Sequence, residues 1–189
     1  MKIIIIEGPD NTGKNTLIDN IINNNNNVKI IHCGTPKSKE DPYKEQKDLF
    51  KRLTNIAISE YRKNETDVIV FNRFYQGEYV YGQMYRGISP IEIKLFIKNL
   101  EKVLTSNIFE EDLYYVQLVS SSTKLLKGND DGKSLSKADE DKIYKEIRLF
   151  QNIFDESRIK NKKLIYINNG DYFRDRQDIL DEFNNFINS

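Results

Sequence analysis

Gly8 and Gly13 are separated by four residues, and Lys14 follows the second glycine directly. Glycines at this spacing let the backbone turn several N–H groups toward one anion, and the lysine adds a compact positive charge. The run Gly8-Pro9-Asp10-Asn11-Thr12-Gly13-Lys14-Asn15-Thr16 therefore has the make-up of a phosphate-binding loop. Its G-x-x-x-x-G-K-[ST] pattern is complete except at the last place, where Asn15 stands instead of a hydroxyl residue. That hydroxyl is the usual protein ligand of a nucleotide-bound Mg²⁺. An amide oxygen can ligate the ion but brings no charge, and an amide is no general base. The loop predicts binding of a nucleoside triphosphate, ATP, through Gly8, Asn11, Thr12, Gly13, Lys14, Asn15 and Thr16. Asn15 is the candidate Mg²⁺ ligand, with Glu7, Asp10 and Thr16 near enough in sequence to compensate for it.

A loop of this kind must be held between a strand and a helix N-terminus, whose free N–H groups and dipole also favour an anion. The sequence supplies both. Lys2–Glu7 is almost continuously apolar, as in a strand buried on both faces, and a helix is predicted from Lys14 to about Asn23. Further strands are predicted at Val28–Cys33, Asp67–Phe71, Leu113–Val119 and Leu164–Ile167. Between them, Lys44 to Lys63 places Phe50, Leu53, Ile56, Ala57 and Tyr61 on one helical face. Ser89-Pro90-Ile91-Glu92 has the form of a capping box opening a helix to about Leu104. Ser136-Lys137-Ala138-Asp139 resembles another cap, before a helix to about Ser157. Asp171 is the expected cap of a last helix holding Ile179, Leu180, Phe183 and Phe186. The five asparagines from Asn23 to Asn27 fit a loop after the first helix, since Asn tolerates left-handed cap geometry.

Alternating strands and helices predict a parallel sheet with right-handed crossovers and helices on both faces. Ligands then bind beyond the carboxyl ends of the strands, where the phosphate loop already lies. The 189 residues fit one domain over 1–189, without repeat or internal boundary. Basic and acidic residues balance at 29 each, which argues against a dedicated duplex-DNA binder and makes a nucleic-acid partner unexpected. A single cysteine, Cys33, excludes an internal disulfide and suits a cytoplasmic protein. No segment approaches the roughly 18 apolar residues of a membrane span. His32 and Cys33 end a strand without a metal-ligand pattern nearby and are read as structural.

The stretch Phe71-Asn72-Arg73-Phe74-Tyr75, followed by a tyrosine-bearing segment to Gly87, closes the third strand. Together with Gly8-Pro9-Asp10 it resembles the thymidylate kinase-type deoxynucleoside monophosphate kinases, of the sort some bacterial viruses encode. The sharp motifs cover about residues 3–16 and 68–87, while length and layout fit the whole chain. The family carries an Asp-Arg pair where this chain has Asn72-Arg73, so a second position near the same Mg²⁺ is neutral.

The resemblance implies a P-loop NTPase-type three-layer α/β fold with a five-stranded parallel sheet. It also implies roles. Lys14, Arg73 and Lys133 would act on the transferring phosphoryl group, Lys133 from a lid at about 127–137 that also holds Lys127. Arg73 would grip the acceptor monophosphate and Asp10 would approach the sugar 3′ position. Phe50 would stack on the base, with Tyr81 and Tyr85 walling the pocket, Arg86 adding charge and the Thr35-Pro36 turn shaping the site. The bland counterparts are a core position for Phe50, packing for the tyrosines and solvated charges for Arg86 and the lysines. The expectation is Mg²⁺-dependent transfer of the ATP γ-phosphate to a pyrimidine deoxynucleoside monophosphate, dTMP first, by a protein whose partners are small nucleotides and a second copy of itself. A kinase of nucleosides or modified bases in DNA is one alternative. A nucleotide-sequestering protein without turnover is another.

Overall fold

Ile3, Ile4, Ile5 and Ile6 are all fully buried because β1 (Lys2–Glu7) runs through the middle of the sheet. In this computed structural model, which describes residues 1–38, 40–130, 132 and 134–188, β1 lies between β3 (Val68–Asn72) and β4 (Leu113–Val119). The outer strands are β2 (Val28–His32) and β5 (Asn161–Tyr166). The order is β2-β3-β1-β4-β5, and every pairing is parallel.

Strand alternation divides the interior into two cores. Ile3 and Ile5 face one core with Phe50, Ala57 and Ile58 of α2 (Pro42–Lys63) and Ile93, Ile97 and Leu104 of α4 (Pro90–Thr105). Ile4 and Ile6 face the other, with Leu17, Ile18 and Ile21 of α1 (Lys14–Asn24) and Leu180, Phe183 and Ile187 of α7 (Arg176–Ile187). This is the expected three-layer α/β fold with a five-stranded parallel sheet. Each wholly buried isoleucine contributes about 1.5–3 kcal/mol relative to exposure, so the strand carrying the glycine loop is among the best-anchored parts of the molecule. The helices α3 (Gln76–Tyr85), α5 (Thr123–Gly128) and α6 (Glu140–Glu156) complete the set. No described helix is long and apolar enough to cross a membrane.

Several local expectations are corrected. Helix α1 ends on Asn25 in extended rather than left-handed geometry, and Asn25 Nδ2 donates to the Ile21 carbonyl at 2.8 Å. The left-handed cap belongs to Asn64, after α2. Ser89 precedes α4 as expected but makes no side-chain cap bond, and Glu92 turns to Lys47 at 3.3 Å instead. Asp139 alone caps α6, accepting from the N–H groups of Asp141 and Lys142. Asp175, not Asp171, caps α7. Asp171 lies in the turn of a short hairpin, β6 (Asn168–Asn169) with β7 (Tyr172–Phe173), that had no strand-like pattern. Helix α5 was also unforeseen, so Lys127 stands on a helix rather than in a loop.

Candidate active site

Strand register brings the chemistry to one edge. Ile6 lies level with Asn72, His32 with Asn72, and Glu7 with Gln117. The turns after β1, β2, β3 and β4 therefore open on the same side of the sheet, as ligand sites of parallel sheets do.

The glycine loop is built by left-handed backbone at defined points. Gly8 has φ +137°, and a Cβ placed there would lie 2.3 Å from the Leu118 carbonyl oxygen of β4. Asn11 has φ 63°, and Gly13, at φ 83°, is the N-cap of α1. Thr12 Oγ1 donates to the Pro9 carbonyl at 2.9 Å. The buried Lys14 ammonium donates to the carbonyls of Gly8, at 2.9 Å, and Pro9, at 2.5 Å. Burial, helped by repulsion from Arg73, lowers the Lys14 pKa to about 7 against the attraction of Asp10, Glu7 and Glu146. Asn15 is exposed and Thr16 half-buried in the first turn of α1.

Arg73 follows β3 with φ 65°, an uncommon conformation for a residue with a Cβ. Its N–H donates to the Ile6 carbonyl at 3.0 Å, tying it to β1. Its guanidinium donates to the Tyr81 hydroxyl at 2.9 Å and pairs with the Asp10 carboxylate. Burial opposes the charge, but Tyr81, Asp10 and Glu7 outweigh it and hold Arg73 firmly protonated. The turn is fixed from below by the buried Glu7, whose Oε1 accepts from the N–H groups of Phe74, at 2.7 Å, and Gly77, at 3.1 Å. Its Oε2 has no partner among the described residues, and burial raises its pKa.

The two neutral substitutions touch each other. Asn72 Nδ2 donates to Asn15 Oδ1 at 2.9 Å and lies 3.1 Å from His32 Nδ1. His32 thus belongs to this polar cluster rather than to the framework alone. Cys33 is half-buried in the wall of the neighbouring cavity, its thiol pushed up to about 12 by burial.

That cavity has a volume of about 290 Å³. Asp10 and Arg73 line it, with Phe50, Phe74 and Tyr81 as apolar walls and Thr35 and Pro36 at the turn after β2. Phe50 is 3% exposed and meets Phe74 edge to face at 5.8 Å, so it serves core and cavity together. Arg86 also lines the cavity and bonds Glu78 at 2.6 Å. Tyr85 does not line it; its ring packs near Tyr81 and its hydroxyl donates to Glu146 at 2.6 Å. Lys127 pairs with Glu140 at 3.0 Å. Lys133 lies outside the described residues.

Glu146 was missed in the sequence. It is a buried carboxylate on α6, and burial raises its pKa to about 7 against the Tyr85 bond, with Asp10 adding to the rise. The available signal was an acidic residue on the same helical face as Ile143, Ile147 and Phe150. With Pro9, Asp10 and Asn11 it lines a second, small cavity beside the glycine loop.

Mg²⁺ takes hard oxygen donors in tight octahedral geometry and keeps several waters and phosphate oxygens. Among the described residues, no three His, Cys, Asp or Glu side chains form a ready cage. Asn15 Oδ1, Asp10 and Glu146 are oxygens at the loop, and they fit an ion that arrives with nucleotide phosphates. Asn15 Oδ1 accepts from Asn72 with one lone pair and would offer the other to the ion.

No family model matches the chain, and no curated protein matches it either. Among solved structures it is similar to the YorR protein of Bacillus subtilis in complex with phosphorylated GDP, with a TM-score of 0.68 and 15% identity over 98% of this chain and 95% of that one. It is also similar to thymidylate kinase from Ehrlichia chaffeensis, with a TM-score of 0.53 and 15% identity over 97% of each chain. Deoxyadenosine kinase from M. mycoides with bound dATP matches over 100% of both chains, with a TM-score of 0.51 and 16% identity. These likenesses establish the fold as that of the P-loop kinases.

Proposed function

We propose that the protein transfers the γ-phosphoryl group of ATP to a deoxynucleoside monophosphate, giving the diphosphate. The observation that carries this reading is that the paired Asp10 and Arg73 line one apolar-walled cavity, with Lys14 of the glycine loop within electrostatic reach of both. Phosphoryl transfer requires alignment and charge neutralisation more than covalent help from the protein. In this reading the loop N–H groups and Lys14 hold the donor phosphates, and Lys14 exchanges its two carbonyl partners for phosphate oxygens. Arg73 presents its fork to the acceptor phosphate, Tyr81 steadies the fork, and Asp10 meets the sugar. Phe50 and Phe74 flank the base. Mg²⁺, held with the phosphates by Asn15, Asp10 or Glu146, would supply further neutralisation. The segment 127–137, with Lys133, is the proposed lid, and a homodimer is the proposed assembly. Support comes from the kinases of the same fold, one of them a thymidylate kinase. dTMP is the acceptor implied by the resemblance and the first to assay.

A nucleoside acceptor is the second reading, favoured by Glu7. Its Oε2, without a partner among the described residues and within electrostatic reach of Arg73 and Lys14, is a carboxylate oxygen of the kind that accepts a proton from an attacking hydroxyl. The deoxyadenosine kinase of the same fold agrees with it. A coupled ADP-release assay at millimolar Mg²⁺, across the common nucleoside monophosphates, nucleosides and oligonucleotides, separates the readings. Turnover confined to a deoxynucleoside monophosphate is expected. Turnover with nucleosides alone selects the second reading, and no turnover with any acceptor sinks both.

A further inference from the structure

The acceptor cavity is walled almost wholly by the first half of the chain. Its described lining runs from Asp10, after β1, to Arg86, after α3, and then takes a single residue from far along the sequence, Leu135. Leu135 lies in the turn between α5 and α6 and is 38% exposed. Its two neighbours belong to a different cavity. Ser134 and Ser136 are buried and line the small cavity beside the glycine loop, with Pro9, Asn11 and Glu146. Asp10 lines both cavities, so the turn passes over the boundary between them. The turn is pinned there. Ser134 Oγ donates to Asp130 Oδ2 at 2.6 Å, and Ser136 Oγ donates to Ser134 Oγ at 3.2 Å. The N–H groups of Lys137 and Asp139 donate to the carbonyls of Ser134 and Ser136. Lys137 and Ala138 then both take left-handed backbone, with φ 51° and 57°, which a residue with a Cβ keeps only where the surrounding structure demands that path.

We infer that Leu135 is a contact residue for the acceptor: its side chain packs on the nucleoside part of the bound monophosphate and completes the apolar wall begun by Phe50, Phe74 and Tyr81. The chemistry fits that part of the ligand alone. Arg73 and Asp10 already bring charge to the cavity, and leucine has no hydrogen-bonding group to offer a phosphate. Its apolar surface, open to water, is what the face of a base or sugar would cover, and covering it is favourable. A lone exposed leucine is ordinary on a protein surface. This one is set apart by its flanks. Two buried serines, a pinned turn and two left-handed residues hold an exposed apolar side chain at a cavity whose other walls come from a distant part of the sequence. The inference rests on the monophosphate reading above. It adds a residue of the segment 127–137 that touches the acceptor rather than the transferring phosphoryl group.

The test is steady-state kinetics of the full chain, with ATP as donor and, as acceptor, whichever common deoxynucleoside monophosphate turns over fastest. Leu135→Ala should raise the KM for the monophosphate roughly fivefold to tenfold, the scale of a leucine side chain partly withdrawn from water. The KM for ATP and kcat should stay within about twofold, the pattern of a lost contact that ground state and transition state share. Leu135→Met keeps the apolar volume and should keep the monophosphate KM within about twofold of the unaltered protein. General loosening of the turn would instead move both KM values together and lower the urea midpoint. If Leu135→Ala fails to fold, Leu135→Gln, which keeps the length but presents an amide, gives the same comparison. An unchanged monophosphate KM, or a rise shared equally by ATP, overturns the contact and leaves the kinase reading standing. Absence of turnover with every monophosphate in the unaltered protein overturns the kinase reading and the contact with it.

Discussion

At the level of single residues, the two asparagines at the metal side of the loop form one unit. Asn15 Oδ1 accepts from Asn72 at 2.9 Å, so one of the two lone pairs on its only oxygen is already engaged. An ion that uses Asn15 must share this oxygen with the Asn72 N–H, and the amide brings it no charge. Neither asparagine adds charge, and each carboxylate nearby has one oxygen already engaged: Asp10 with Arg73, and Glu146 with Tyr85. Asn15→Ser should therefore strengthen the Mg²⁺ dependence of ATP binding, tightening MgATP by up to about tenfold, the scale on which a ligand's hydrogen-bond partners tune metal affinity. Titrating ATP at a series of Mg²⁺ concentrations checks this, and identical curves for the two proteins would falsify it.

At the level of elements, the loop depends on how closely β1 approaches β4. Gly8 leaves β1 at φ +137°, and a Cβ there would sit 2.3 Å from the Leu118 carbonyl. Neither the backbone conformation nor the contact admits a side chain, and the obstacle is backbone that cannot swing aside. Gly8→Ala should part the ends of the two strands and lower stability by roughly 2–4 kcal/mol, read as a reduced urea midpoint. A midpoint within error of the unaltered protein would dismiss the close approach. The strands themselves were legible in the sequence because parallel strands buried on both faces are written as unbroken apolar runs, as in Ile3 to Ile6. The phosphate loop was legible because it is contiguous, and Arg73 because it ends such a run. Glu146 was not legible as a site residue, since it sits on a helix whose facing is fixed by packing against distant strands. The six residues of α5 and the two-residue strands β6 and β7 are too short for periodicity to register. Asp171 and Asp175 are chemically equal caps, and pairing of Tyr172 and Phe173 with Asn169 and Asn168 moves the helix start to the later one.

At the level of the whole molecule, balanced charges leave little net field, so the response to pH is governed by buried groups. Glu7, Glu78, Glu101 and Glu146 are all raised, in each case chiefly by burial. A carboxyl raised in the fold binds its proton more tightly than in the unfolded chain. Its contribution is therefore full at low pH and is lost as pH rises through the folded value, about 7 for Glu146. Lys14 has the opposite slope. Its folded pKa of about 7 lies below the ordinary 10.5, so the unfolded chain binds the extra proton across that window and the fold gains stability as pH climbs through it. Carboxyls with lowered pKa, such as Glu45 and Asp139, sit at the surface and act below this range. The nucleotide-free protein should then be least stable near pH 7, with urea midpoints rising toward pH 5 and toward pH 9. Glu146→Gln should flatten the acid limb by roughly 1–2 kcal/mol, and Lys14→Met should remove the alkaline one. ATP supplies negative charge to Lys14, so saturating ATP should fill the minimum and carry proton uptake at pH 8, seen as a binding heat that changes with the buffer's ionisation enthalpy. A stability maximum at pH 7 in the free protein, or buffer-independent heats at pH 8, would show that Lys14 keeps its charge without the nucleotide.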